Sequence, residues 1–190
     1  MLYVHGGGFV VGSKTSHGPY AARLARATGL ETFLPDYSLA PEHPFPAALN
    51  EMKAAWLKLA DKIEGPLVLA GESAGGNLAM SLALRLRDEG LRPPDAVAVV
   101  SPWSDLSMSG ASVESKAKAD PMLSPAGLAR ASDMYLKGRD RYDPAVSPLF
   151  GDMAGLPPVL IQVGSEEILL DDAVRLEDRL AESGVDSLCQ

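Results

Sequence analysis

Residues 71–75 read Gly-Glu-Ser-Ala-Gly and lie between an apolar run, 66–70, and a helix-forming run, 76–84. A G-x-S-x-G pentapeptide between a strand and a helix predicts a sharp turn that strains Ser73 and projects its hydroxyl above the sheet. The flanking glycines leave the room that a Cβ would fill. We therefore predict that Ser73 is a nucleophile above a helix N-terminus, although the pentapeptide alone also fits an ordinary tight turn.

The chain opens with a short apolar strand, Leu2–Val4, that runs into His-Gly-Gly-Gly. Consecutive glycines expose backbone N–H groups, so we expect Gly6 and Gly7 to donate hydrogen bonds to an oxyanion. The residue after a nucleophilic serine supplies a further donor, which here is Ala74. We expect His5 to orient the glycine loop rather than to transfer protons. The alternative is a loop that is merely flexible.

Composition is typical of a globular enzyme domain. The 190 residues are 46% hydrophobic and 22% charged, which is enough apolar material for a sizeable core. The net charge of −8 argues against a nucleic-acid partner, and no apolar run reaches the length of a membrane span. Cys189 is the only cysteine, so no internal disulfide can form. Met1 leads straight into a strand rather than into a signal peptide, so we expect a cytoplasmic protein.

Alternating strand and helix patterns predict an α/β fold with a mostly parallel sheet and helices on both faces. The predicted strands are Leu2–Val4, Glu31–Pro35, Leu67–Ala70, Ala96–Ser101 and Pro158–Val163. The predicted helices are Pro19–Thr28, Phe45–Ala60, Asn77–Glu89 and Asp171–Ser183.

We interpret residues 1–190 as one partial domain. The stretch 105–155 interrupts the alternation and has helical pieces near Pro125–Lys137. It forms either an excursion over the active-site edge, as a substrate wall or lid, or ordinary connecting structure.

Three motifs occur in a fixed order: HGGG at 5–8, DYSLAPEHPFPAA at 36–48 and GESAGGNLA at 71–79. Together they resemble the hormone-sensitive-lipase-like esterases, the HGGG-bearing α/β-hydrolases that include bacterial acetyl esterases and arylesterases. The resemblance extends from Tyr3 to about Gly184. It implies the α/β-hydrolase fold and serine carboxylesterase activity, with no metal or organic cofactor. It also implies a structural turn at 36–48 with His43 as a packing residue, a catalytic His43 being the alternative.

The resemblance places the triad acid on the loop after the strand Pro158–Val163. Glu167 aligns with that position, and Glu166 is its competitor. Asp171 and Asp172 fall at the start of the next helix, where we expect them to cap the helix and complement its dipole.

A general base is missing from this pattern. The three histidines, His5, His17 and His43, all precede Ser73, whereas the chain order in this fold is serine, acid, histidine. The resemblance places the family's histidine after one more strand beyond 171–183, and cap helices and two strands before the glycine loop. We therefore expect a chain truncated at both ends, poorly stable and nearly inactive by itself.

The predicted function is hydrolysis of carboxylic esters with short to medium acyl chains. The expected partner is a small-molecule ester. The alternative is a non-catalytic fragment, or a pseudo-hydrolase that binds acyl or other small ligands. Intact relatives often pair through their last strand and helix, so a homodimer is an expectation for them only.

Overall fold

The computed structural model describes all 190 residues and contains one sheet of five parallel strands. The strands are β1 (Leu2–Val4), β2 (Val68–Glu72), β3 (Ala96–Val100), β4 (Val159–Gln162) and β5 (Ser187–Cys189), and they lie side by side in chain order. The helices are α1 (Lys14–Thr28), α2 (Ala47–Lys62), α3 (Ala74–Asp88), α4 (Ser112–Ser115), α5 (Pro125–Leu136) and α6 (Leu170–Glu182). The prediction of an α/β fold with a parallel sheet is confirmed. None of the helices combines the length and the apolar character needed to cross a bilayer.

The two faces of the sheet are covered unequally. Side chains alternate between the faces along each strand, so the row that includes Leu2, Leu69, Val97 and Val159 points to one side. All four are buried in the main core, together with apolar residues of α2, α3 and α6. The opposite row packs near β1 against apolar residues of α1, whereas Leu160 is 41% exposed.

Two predicted elements differ from the structure. The segment Glu31–Pro35 forms only a single bridge, in which Phe33 pairs with Leu2 at the free edge of β1. Two hydrogen bonds of 2.9 Å hold this bridge, and Pro35 has no N–H with which to extend it. The predicted helix Pro19–Thr28 begins five residues earlier, because Ser13 and Ser16 form a capping box that starts α1 ahead of Pro19.

The stretch 105–155 contains α4, α5 and a 3₁₀ turn, Pro148–Phe150. Asn77 of α3 binds the backbone on either side of α4 and α5, because its side-chain amide donates to the carbonyl oxygens of Trp103 and Val146 at 2.8 Å each. Residues 120–123 of this stretch line a cleft together with the carboxyl ends of β2 and β3, the edge at which ligands bind in parallel sheets.

Candidate active site

Ser73 occupies the junction between β2 and α3 with φ 53° and ψ −121°, a conformation that non-glycine residues rarely adopt. Neighbouring backbone groups hold this strained peptide. The Ser73 N–H donates to the Val100 carbonyl at 2.9 Å, and the Ser73 carbonyl accepts from the N–H groups of Asn77 and Trp103 at 3.0 and 3.1 Å. The side chain is half-buried and reaches a cleft.

The two glycines of the turn are required by close backbone contacts. A Cβ on Gly75 would lie 2.6 Å from the carbonyl oxygen of His5 and still closer to that of Val4. A Cβ on Gly71 would overlap the carbonyl group of Gly75. The turn therefore lies against the end of β1 at a distance that only glycine allows.

Gly75→Ala is consequently expected to destabilise the fold by about 3 kcal/mol or more, because the obstructing atoms belong to backbone that cannot move aside cheaply. Such a loss lowers the melting temperature by roughly 6–12 °C in a domain of this size. Gly18→Ala in α1 is the matched control, since nothing lies within 4 Å of its Cβ position, and we expect it to be neutral or stabilising. Equal melting temperatures for the two variants would contradict this account of the turn.

The glycine loop at 5–8 follows β1 and lies beside the turn. Gly7 and Gly8 have φ of 111° and 61°, and their N–H groups donate to no acceptor within the chain. We expected Gly6 to be a free donor as well, but its N–H donates to the Glu72 carboxylate. Ala74 is the first residue of α3, where an N–H has no partner inside the helix.

His5 is fully buried behind the loop. Its Nδ1 bonds the Gly6 carbonyl at 2.8 Å, and its ring stacks on Tyr37 with 4.2 Å between centroids. The Tyr37 hydroxyl in turn donates to the His5 carbonyl at 2.8 Å. Burial lowers the pKa of His5, so its neutral form is favoured in a position where it supports the loop.

Ser73 and Glu167 line the same cleft, which has a volume of about 330 Å³. The other lining residues come from the ends of β2 and β3, from the segment 120–123 and from the loop between β4 and α6: Glu72, Val100, Ser101, Asp120, Pro121, Met122, Leu123 and Leu169. The structure thus brings together two predicted site residues that are far apart in the sequence.

Adjacent glutamates on the loop after β4 have different surroundings. Glu167 is half-buried, and its Oε1 accepts the Gly164 N–H at 2.8 Å. Glu166 is exposed and pairs with Lys116 at 3.1 Å, outside the cleft. Of the two glutamates, only Glu167 lines the cleft together with Ser73.

Asp171 and Asp172 lie in the first turn of α6 as predicted, but neither caps the helix. Asp171 accepts the Ser112 N–H at 2.9 Å, and Asp172, which is buried, accepts the Asp105 N–H at 2.8 Å. The capping prediction was wrong, because these carboxylates satisfy donors of the segment 105–112 packed against the helix.

Sequence reasoning also missed Asp120. One of its carboxylate oxygens accepts the Ile168 N–H at 2.9 Å, and the other accepts from the N–H groups of Met122 and Leu123. Asp120 therefore ties one wall of the cleft to the loop that carries Glu167. The Asp-Pro dipeptide at 120–121 is the only local signal, and it indicates a turn rather than a partner.

No histidine lines the cleft. His17 of α1 lies with its Nε2 3.1 Å from the Glu72 carboxylate. His43 is exposed, so its predicted packing role was wrong: the turn at 36–48 presents the ring to solvent while Ala48 and Leu49 enter the core.

Comparison with known proteins gives consistent matches. A family model described as alpha/beta hydrolase fold matches residues 1–190. An acetyl-hydrolase of Streptomyces hygroscopicus is 42% identical over 186 residues, which is 97% of this chain and 62% of the relative. The chain thus spans about three fifths of that protein.

Solved structures of esterases also superpose closely on this chain. An esterase from the bacterial hormone-sensitive lipase family superposes with a TM-score of 0.97 at 40% identity, over 100% of this chain and 65% of that one. EstE5 soaked with p-nitrophenyl butyrate superposes with a TM-score of 0.96 at 41% identity, over 100% of this chain and 64% of that one. The family match over residues 1–190 shows that the chain belongs to the α/β-hydrolase fold family, and it is similar to proteins named as an acetyl-hydrolase and as an esterase of the bacterial hormone-sensitive lipase family.

Proposed function

We propose that this chain carries the nucleophile, the oxyanion hole and the acid of a carboxylic ester hydrolase, with Ser73 as the nucleophile. The single observation that carries the proposal is the strained Ser73, held at a strand–helix junction in the same cleft as Glu167. A backbone strain of this kind persists only where surrounding structure enforces it, and it is concentrated at active sites.

Ser73 Oγ attacks the acyl carbonyl carbon, the alcohol leaves, and water then hydrolyses the acyl-enzyme. We assign the oxyanion donors to the glycine loop and to Ala74. Of the loop groups, the Gly7 and Gly8 N–H groups are unpaired, whereas Gly6 donates to Glu72. The proposed role of Gly6 is therefore to anchor the loop, and Gly8 joins Gly7 as a donor.

Glu167 is the proposed acid, and it orients the histidine that serves as general base. None of the three histidines of the chain lines the cleft, and the matched relatives are longer than this chain. We therefore place the base on a histidine of the whole protein outside residues 1–190.

The proposed substrates are carboxylic esters of short to medium acyl length. The cleft volume of about 330 Å³ fits an acyl chain of a few carbons beside a small alcohol. One relative is named an acetyl-hydrolase, and EstE5 was soaked with a butyrate ester. We propose that residues 120–123 of the excursion form one wall of this substrate site.

Turnover of p-nitrophenyl acetate, butyrate and decanoate by the whole protein tests this assignment. We expect the two short esters to be hydrolysed with a higher kcat/KM than the decanoate. A protein that binds these esters without releasing p-nitrophenol would instead support the alternative of a ligand-binding pseudo-hydrolase.

The 190-residue chain by itself is expected to hydrolyse p-nitrophenyl butyrate at close to the background rate, because no imidazole reaches Ser73 to accept its proton. A fluorophosphonate is expected to label the chain slowly at Ser73, as mass spectrometry of the labelled peptide can show. Rapid turnover that His17→Gln abolishes would contradict this expectation and would make His17 the base.

A further inference from the structure

Glu72 is the residue directly before Ser73, and ester hydrolysis as outlined above assigns it no role. Its side chain is only 21% exposed and lies at the end of β2, facing the glycine loop. One carboxylate oxygen accepts the Gly6 N–H, and the other occupies the place that a Cβ on Gly6 would need. The carboxylate therefore packs on Gly6 as well as bonding it.

A second element holds the carboxylate. His17 of α1 lies with its Nε2 3.1 Å from the same oxygen that accepts the Gly6 N–H. The His17 ring stacks on His5, with 5.1 Å between centroids, and His5 stacks on Tyr37. Helix α1, the glycine loop and β2 are thus joined at one carboxylate.

The polar contacts of the Glu72 carboxylate are those with the Gly6 N–H and with His17. Burial raises the pKa of Glu72, while the Gly6 N–H and His17 act in the opposite direction by stabilising the ionised form. These two contacts replace the water that the carboxylate has lost. Bonds from an N–H to an ionised carboxylate are about twice as strong as neutral ones, so this contact is a firm anchor for the run of glycines.

We propose that Glu72 is a positioning residue whose carboxylate, held by His17, fixes the glycine loop through Gly6 next to Ser73. Three consecutive glycines have little conformational preference of their own, yet an oxyanion hole requires donors that are fixed before the charge develops. Because Glu72 precedes Ser73, its anchor sets the loop directly relative to the nucleophile. This inference rests on the proposed ester hydrolysis.

Glu72→Ala in the whole protein is expected to lower kcat for p-nitrophenyl butyrate by about 10–100-fold with little change in KM, since only the transition state uses the oxyanion donors. A trifluoromethyl ketone, which forms a tetrahedral oxyanion adduct with the serine, is expected to lose affinity by the same factor. Glu72→Gln keeps an acceptor for the Gly6 N–H and is expected to recover most of the loss. His17→Gln is expected to lower kcat by roughly 3–10-fold.

Glu89→Ala is the matched control. Glu89 likewise has two polar partners, the side chains of Lys53 and Arg85, but at the far end of α3, and we expect unchanged kcat and ketone affinity. The melting temperature of Glu89→Ala shows how much the pairs of Glu89 with Lys53 and Arg85 contribute to stability, apart from any effect on the glycine loop.

Wild-type kcat and ketone affinity in Glu72→Ala would overturn the inference. So would a loss that appears only in KM or only in melting temperature. If Glu72→Ala does not fold, Glu72→Gln and His17→Gln decide: wild-type kcat and ketone affinity in His17→Gln, or a loss in Glu72→Gln that the ketone does not share, would overturn it. Activity that survives Ser73→Ala would instead refute the proposed function.

Discussion

Replacing Ser73 with alanine in the whole protein is expected to lower kcat for p-nitrophenyl butyrate by about 10⁴–10⁶-fold. The variant loses the only group that can form the acyl-enzyme, and the rate that remains comes from the oxyanion donors and from substrate binding. We expect the fold to be unaffected, because alanine removes only the Ser73 hydroxyl. The strained backbone at φ 53° positions that hydroxyl, and its loss leaves the surrounding packing in place.

Initial rates of p-nitrophenol release, with melting curves for each variant, check this result. Ser101→Ala is the control, because Ser101 is the other serine of the cleft and also has a positive φ, 45°. We expect it to stay within about tenfold of the wild-type kcat. If Ser73→Ala kept near-normal turnover, the assignment of the nucleophile would be wrong.

Glu167→Gln is expected to lower kcat by about 10³–10⁴-fold, because an amide cannot stabilise the imidazolium and favours the wrong tautomer of the base. The amide oxygen still accepts the Gly164 N–H, so the loop should keep its conformation. The same kinetic assay on the whole protein, with a circular-dichroism melt, separates the loss of chemistry from any loss of folding.

Glu166→Gln is the matched control one residue away. It loses only an exposed pair with Lys116, and such pairs contribute little to stability. We expect its kcat to remain close to that of the wild type. A larger loss in Glu166→Gln than in Glu167→Gln would show that the acid is the other glutamate.

Much of the fold could be read from local patterns. The near-continuous apolar run at 96–100 indicates a buried parallel strand, and the structure confirms β3 there. The Gly-x-Ser-x-Gly pentapeptide likewise encodes its own backbone geometry, because the glycines and the strained serine are neighbours in the chain. The prediction of a helix boundary was wrong where a neighbouring signal was stronger. Pro19 suggested the start of α1, but the capping box of Ser13 and Ser16 starts the helix at Lys14.

The residues of the candidate site likewise fall into those that a local pattern indicates and those that it does not. The sequence by itself determined the sharp turn at Ser73, the glycine loop and the fold family, since each rests on residues within a few positions of one another. Composition could not separate Glu166 from Glu167, because both are glutamates on the same loop; only the structure shows that Glu167 lines the cleft and that Glu166 is exposed.

Only the tertiary structure decided which groups meet. Gly6 and Glu72 are 66 residues apart, and Ile168 and Asp120 are 48 apart, yet each pair forms a hydrogen bond. These contacts exist because parallel strands bring their carboxyl ends to one edge of the sheet, where loops from distant parts of the chain must satisfy each other's buried donors. No local pattern records such partners, so Glu72, His17 and Asp120 acquire their places only once the sheet has formed.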